Sequence, residues 1–268
     1  MPDFRLLALD LDGTLIGEEL TISPRALQAI ASVRSKGIVV TLATGRTFRE
    51  AQPYAAQLGL TAPLICHQGA LVQTEEHIFY HRTVPRARAG EVIDFALNHE
   101  LHVNAYVGDS LYVERMTREA GIYAGYAPEL EIQPVGDLRK FMKDKDATKL
   151  LLIGSTDLMD TWWPQLRQRW GASLQVVRSH LNLVEFTRAG VSKGNALAFV
   201  AEYLHIPQQA VMVIGDNQND LSMVRWAGWG VAMAQGHPDV RLAADTVAPP
   251  LSEDGAAVAI ERFILGYS

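Results

Sequence analysis

Short, uninterrupted apolar runs separated by helical patterns, at both ends of the chain, constrain its fold most strongly. Arg5–Leu11, Ile38–Ala43, Leu64–Cys66 and Val211–Ile214 lack the apolar–polar alternation of a half-exposed strand. Strands of that kind are buried on both faces, which calls for a parallel sheet with helices on either side. The segments between them carry helix signals. Ser23-Pro24 reads as an N-cap followed by proline at the first helical position, opening a helix that closes near Gly37. Further helices are predicted after Arg46, from Lys193 to about Leu204, through Ala227, and from Gly255 to about Ile264, with a short strand at Gly230–Met233. The pattern predicts an α/β fold whose core is a doubly wound, Rossmann-like parallel sheet.

From about Val84 the texture changes. His102–Val107 and Ser110–Glu114 alternate around Gly108-Asp109, a hairpin signal. The apolar strand Lys149–Ile153 follows, then a helix carrying Trp162, Trp163 and Trp170, then a strand pair at Leu174–Ser179 and Leu183–Thr187. This block predicts an inserted α+β domain. The expected division is a core of residues 1–83 and 188–268 with an insertion at 84–187.

Composition excludes several functions. Hydrophobic content of 48% with 20% charged residues, in a chain of 268, argues against disorder. A net charge of −6 argues against nucleic-acid and anionic-membrane partners, which need a basic field. No apolar run approaches the ~20 residues that span a bilayer. Asp3, Arg5, Asp10 and Asp12 interrupt any leader-like segment, and Cys66, the one cysteine, has no partner for an internal disulfide. These features predict a cytoplasmic protein.

Chemistry concentrates at the strand ends, where open parallel sheets bind ligands. Asp10-Leu11-Asp12-Gly13-Thr14 ends the first strand, Thr44-Gly45-Arg46 the second, and Gly215-Asp216-Asn217-Gln218-Asn219-Asp220 the strand Val211–Ile214. Two carboxylates in Asp10-Leu11-Asp12 suit a divalent cation and an electrophilic phosphorus: one can attack and touch the metal while its neighbour handles protons. Asp216 and Asp220 add two more, and four acidic groups would repel one another without a cation. Hard oxygen donors with no histidine or cysteine cluster point to Mg2+ rather than zinc. Thr44 and the Gly45 N–H can cradle an anion, although alone the pair reads as an ST-turn or helix cap. Lys193 opens a helix, where its charge opposes the dipole. A lone lysine there reads as a surface charge; beside the other clusters it reads as reaching back to a phosphate or carboxylate.

With these motifs in this order, the chain resembles the haloacid dehalogenase-like superfamily, and within it the Cof-type, sugar-phosphatase-like phosphatases. The resemblance rests on Asp10–Leu15, Ala43–Arg46, Gly190–Gly194 and Gly215–Asp220, and continues through Val231–Met233 and Ser252–Gly255. It implies that Asp10 is the nucleophile and a Mg2+ ligand. Asp12 would be the general acid/base, its main-chain carbonyl on the metal. Thr44, Gly45, Lys193 and Asn219 would bind the phosphoryl group, Asp216 would be the third protein ligand, and Asp220 would support the metal site from behind. The insertion would be a cap that selects substrate.

The implied reaction is hydrolysis of a small phosphorylated metabolite, a sugar phosphate foremost, through an aspartyl-phosphate. A phosphomutase would use the same apparatus, but usually with serine where Thr44 stands. A phosphoacceptor or regulatory module would share the strand-end aspartates but not an acid/base at Asp12. The chain departs from the family pattern in three places: Gln68 stands at a usual asparagine, Arg188 at a frequent proline, and Pro249-Pro250 in a usually polar segment. His102, Tyr106, Tyr112, Tyr123 and His180 fall in the insertion and read as packing or surface residues.

Overall fold

A computed structural model describes residues 3–126 and 130–267. The chain forms two compact units, one of residues 1–46, 51–79 and 192–268, the other of residues 47–50 and 80–191.

The first unit is built on a five-stranded parallel sheet in the order Thr246–Ala248, Trp229–Met233, Val211–Gly215, Leu6–Leu9, Val39–Leu42. Leu6, Leu7, Ala8 and Leu9 are fully buried in an interior strand, as an apolar run without alternation requires. Truncating Leu7 to alanine there would cost about 2–5 kcal/mol through lost transfer energy and a residual cavity. Flanking helices include Pro24–Ser35, Lys193–Tyr203, Leu221–Trp226, Pro238–Ala243 and Gly255–Ile260. Ser23 caps the first, its hydroxyl accepting from the Ala26 N–H at 3.1 Å with Pro24 at the start of the helix. Ser192 caps the second through the Asn195 N–H, also at 3.1 Å. Leu64–Cys66 pairs antiparallel with Leu71–Gln73 and meets the main sheet through a bridge from Ile65 to Ala43.

The second unit carries a six-stranded sheet in the order Leu174–His180, Leu183–Arg188, Lys149–Ile153, His102–Val107, Ser110–Val113, Ile132–Pro134. It is antiparallel except at its last pair. One face packs against the helices Arg86–Asn98 and Thr156–Trp170 in a core that includes Ile93, Phe95, Leu150, Leu152, Trp170 and Phe186. Trp162 and Trp163 lean on this core partly buried. The other face gathers Tyr106, Leu111, Val113 and Leu151 with Leu130.

The α/β class and the parallel core agree with the sequence reading, which nevertheless did not include several elements, among them the strand Ile132–Pro134, the helices Leu138–Met142 and Pro238–Ala243, and the three that follow. The strand Thr246–Ala248 has three residues and runs into Pro249-Pro250, too short to show a period. The helix Arg118–Tyr126 has a weak apolar stripe. The helix Arg86–Asn98 was legible: Ala89, Val92, Ile93 and Ala96, its buried side, stand at helical spacing. Among the described residues no helix is long and apolar enough to cross a membrane.

Candidate active site

The site grows from the carboxyl ends of three neighbouring strands of the first unit. Asp10 leaves the strand Leu6–Leu9 with its N–H still donating to Ile214 O at 3.0 Å, which holds it beside the strand that delivers Asp216. The chain then turns sharply at Gly13, whose φ is +85° and whose missing Cβ leaves room for the Asp216 carboxylate. Any side chain at position 13 would meet both a strained backbone and that carboxylate. Thr14 Oγ1 donates to Asp216 Oδ1 at 3.0 Å, tying the two loops together.

Lys193 sits at the start of its helix and is fully buried; its Nζ is 2.6 Å from both Asp10 Oδ1 and Asp220 Oδ1. Asp220 is engaged through both oxygens. Its other oxygen, Oδ2, accepts from the Asp216 and Asn217 N–H groups, each at 2.9 Å. Carboxylate oxygens of Asp10, Asp216 and Asp220 lie within 4.8 Å of one another.

Burial and mutual repulsion dominate the electrostatics. Burial first, then the Asp220 charge, holds the Asp10 carboxyl well above the usual range, and Lys193 offsets this only in part. The same two causes raise Asp216 to about 6, against the Thr14 hydrogen bond. Burial alone would lower the Lys193 pKa, but Asp10 and Asp220 outweigh it and the net direction is upward.

Thr44 is buried, its N–H donating to Ile65 O at 2.8 Å and its hydroxyl accepting from the Arg46 N–H at 3.1 Å. Asn219 donates through Nδ2 to Gln68 Oε1 at 2.9 Å. Asp12 lies apart from the buried carboxylates. Its side chain is 52% exposed and is gripped by Arg46, with Nη2 at 2.7 Å from Oδ1 and Nε at 3.0 Å from Oδ2. The structure therefore brings Asp10, Lys193, Asp216 and Asp220 into direct contact or close approach and gives the Asp12 side chain a separate, half-solvated position.

Three participants lay outside the sequence reading. Thr14 was in the first motif without a role, and Arg46 was in the second without a partner. Gln68 was noted as a departure with no contact assigned. The residue types were visible; where their side chains point was not.

A family described as haloacid dehalogenase-like hydrolase matches residues 7–260. The chain belongs to this family. It is 30% identical to the 5-amino-6-(5-phospho-D-ribitylamino)uracil phosphatase YitU of Bacillus subtilis over 98% of this chain and 97% of that one. It is also 30% identical to the pyridoxal phosphate phosphatase YbhA of Escherichia coli, over 94% and 96%. A solved haloacid dehalogenase-like hydrolase from Bacteroides thetaiotaomicron superposes with a TM-score of 0.86 at 27% identity, covering 97% of this chain and all of that one. A solved Thermotoga maritima protein does so at 0.84 and 29%, covering 97% of each. With relatives of this kind over its whole length, the chain is a phosphatase, a phosphoric monoester hydrolase.

Proposed function

We propose that this chain is a Mg2+-dependent phosphatase of small phosphorylated metabolites, sugar phosphates foremost, working through an aspartyl-phosphate on Asp10. The observation that carries the reading is the buried charge imbalance: three carboxylates gathered within 4.8 Å, with Lys193 as the buried cation among them.

The donor set fits magnesium. Asp10, Asp216 and Asp220 offer only hard carboxylate oxygens. The raised proton affinity of Asp10 and Asp216 marks negative charge that a cation would relieve. Asp10 and Asp216, with the Asp12 main-chain carbonyl, are the assigned ligands; Asp220, engaged through both oxygens by Lys193 and two N–H groups, is assigned to support. When bound, the ion supplies positive charge that offsets repulsion between Asp10 and the phosphoryl oxygens.

The chain's own groups account for the rest. Thr44, Gly45, Asn219 and Lys193 are assigned to hold the phosphoryl group. An Asp10 carboxylate oxygen attacks phosphorus, the bond to the leaving oxygen breaks, and Asp12 gives that oxygen its proton. Asp12 then takes a proton from water, which attacks phosphorus, breaks the bond to Asp10 and releases inorganic phosphate. The half-exposed position of the Asp12 side chain suits exchange with an alcohol and with water in turn. Recognition of the leaving group is assigned to an α+β cap at 84–187. The net charge of −6 and the lone, buried Cys66 support a cytoplasmic enzyme without nucleic-acid or membrane partners.

The test is steady turnover of p-nitrophenyl phosphate with Mg2+, lost in Asp10→Asn, followed by a panel of phosphorylated sugars, nucleotides and vitamin precursors. A protein that becomes phosphorylated without turning over, or that needs a bisphosphate activator, overturns the phosphatase mechanism in favour of a phosphoacceptor or a mutase.

A further inference from the structure

Gln68 lies in the most contorted backbone of the first unit. His67, Gln68 and Gly69 follow one another in left-handed conformation, with φ of 50°, 61° and 94°. Consecutive non-glycine residues take that conformation only where their surroundings enforce it. Here the enforcement comes from the phosphate-binding loop itself. The His67 N–H donates to Arg46 O at 2.9 Å, and the Gln68 N–H to Thr44 O at 3.1 Å. The turn delivers the Gln68 side chain, 5% exposed, to two residues assigned to the phosphoryl group. Its Nε2 lies where a Cβ at position 45 would clash with it, so the amide packs against Gly45 only because that residue is glycine. Its Oε1 accepts from Asn219 Nδ2.

Asn219 completes the argument. Its Oδ1 is buried and has no hydrogen-bond partner among the described residues. A buried amide oxygen left unsatisfied is costly. Side-chain amides have two faces, and the pair keeps its hydrogen bond if both reverse together. Gln68 Nε2 then donates to Asn219 Oδ1, Gln68 Oε1 turns to the Gly45 side, and the atom of Asn219 left over becomes Nδ2, a donor matched to a phosphoryl oxygen. Among the described residues Gln68 is the one bonded to the Asn219 amide, so it is the lever that sets which face Asn219 presents.

We propose that Gln68 is a positioning residue for phosphoryl binding: paired with Asn219, it turns the Asn219 Nδ2 toward the phosphoryl group while its own carboxamide walls the Gly45 side of the cradle. This rests on the phosphatase reading above and adds to it a residue that departs from the family pattern.

The test compares Gln68→Gly, Gln68→Asn, Asn219→Ala and the double variant Gln68→Gly/Asn219→Ala with wild type. Glycine suits φ of 61° at least as well as glutamine, which offsets part of the cost of removing a buried, hydrogen-bonded amide, so Gln68→Gly should remain folded. Asparagine tolerates the same backbone with an amide one carbon shorter, and it covers the case in which the glycine variant folds poorly. The readouts are kcat and KM for p-nitrophenyl phosphate and the inhibition constant of inorganic phosphate. Gln68→Gly and Asn219→Ala should each raise KM and the phosphate inhibition constant about tenfold, the worth of a hydrogen bond to a charged group, with the smaller change in kcat. The double variant should add little, because both changes remove one function. Gln68→Glu supplies the sharper control. It still accepts from Asn219 Nδ2 but cannot donate to Oδ1, so it should weaken phosphate inhibition at least as much as glycine does. Unchanged constants in Gln68→Gly, or losses that multiply in the double variant, overturn the positioning role while leaving the phosphatase reading intact. A wild-type chain that neither turns over the substrate nor is bound by phosphate overturns both.

Discussion

Each unit buries a lysine against a carboxylate, and the two arrangements have opposite charge balance. In the second unit Lys149 Nζ meets Glu185 at 2.9 Å, one charge for one, with side chains 4% and 7% exposed. The same ammonium lies 4.8 Å from the centre of the Tyr106 ring, which softens its desolvation. In the first unit Lys193 serves Asp10 and Asp220 together, with Asp216 close by. A balanced buried pair offsets much of its own desolvation and asks for nothing more. An unbalanced one leaves negative charge for a ligand to neutralise. Burial of an ion pair is therefore no functional signal in itself; the uncompensated remainder is.

The comparison can be broken most decisively at Asp10, the proposed nucleophile. Asp10→Asn should lower turnover of p-nitrophenyl phosphate by about 10^4-fold or more while circular dichroism shows a folded protein. Retained turnover would reduce the cluster to a structural feature.

Next come the two lysines. Lys193→Met and Lys149→Met each strand buried carboxylate charge and should each cost about 3–5 kcal/mol in denaturant unfolding. They part in their other consequences. Lys193→Met should also abolish most turnover, whereas folded Lys149→Met should keep its turnover of p-nitrophenyl phosphate. Lys149→Met/Glu185→Leu should recover most of the lost stability, since an apolar pair can replace a buried ionic one. Loss of turnover in folded Lys149→Met would show that the balanced pair is functional too.

A smaller effect is expected from the cation. At a hundred times its dissociation constant, Mg2+ should stabilise the wild-type protein by about 2.7 kcal/mol, visible as a raised melting temperature. Asp216→Asn should lose most of that gain, and a chelator should abolish turnover. An equal gain in Asp216→Asn would remove this residue from the ligand set.

The smallest effect on stability belongs to Arg46→Lys. The Arg46–Asp12 pair is half exposed on its acidic side, so the change should stay within about 1 kcal/mol. Turnover should still fall about tenfold, because lysine cannot reproduce the two-pronged grip on Asp12. Wild-type turnover in this variant would make the grip incidental.

Much of the architecture could be read before any coordinates. Runs such as Leu6–Leu9 and Val211–Gly215 lack polar alternation because both faces are covered, and that alone implies a parallel sheet. The sheet's geometry then directs attention to Asp10, Thr44 and Asp216 at the strand ends. Short or weakly patterned elements escaped, as Thr246–Ala248 did, because three residues carry no period. The partners of long side chains escaped for a different reason. Nothing in Thr44-Gly45-Arg46 says that the guanidinium turns to Asp12, and nothing in His67-Gln68-Gly69 says that three left-handed residues carry an amide to Gly45 and Asn219.

The division follows from range. Local composition and periodicity are properties of neighbouring residues, so the sequence by itself determined which segments are strands with two covered faces and which chemical groups stand at their ends. Charge balance and side-chain direction are properties of residues far apart in the chain. Lys193 meets Asp10 across 183 positions, and Asn219 meets Gln68 across 151. Only the tertiary structure decided that one lysine would bridge two buried carboxylates with a third, partly buried one close by, because desolvation and Coulomb repulsion act on distance in space and not on distance along the chain.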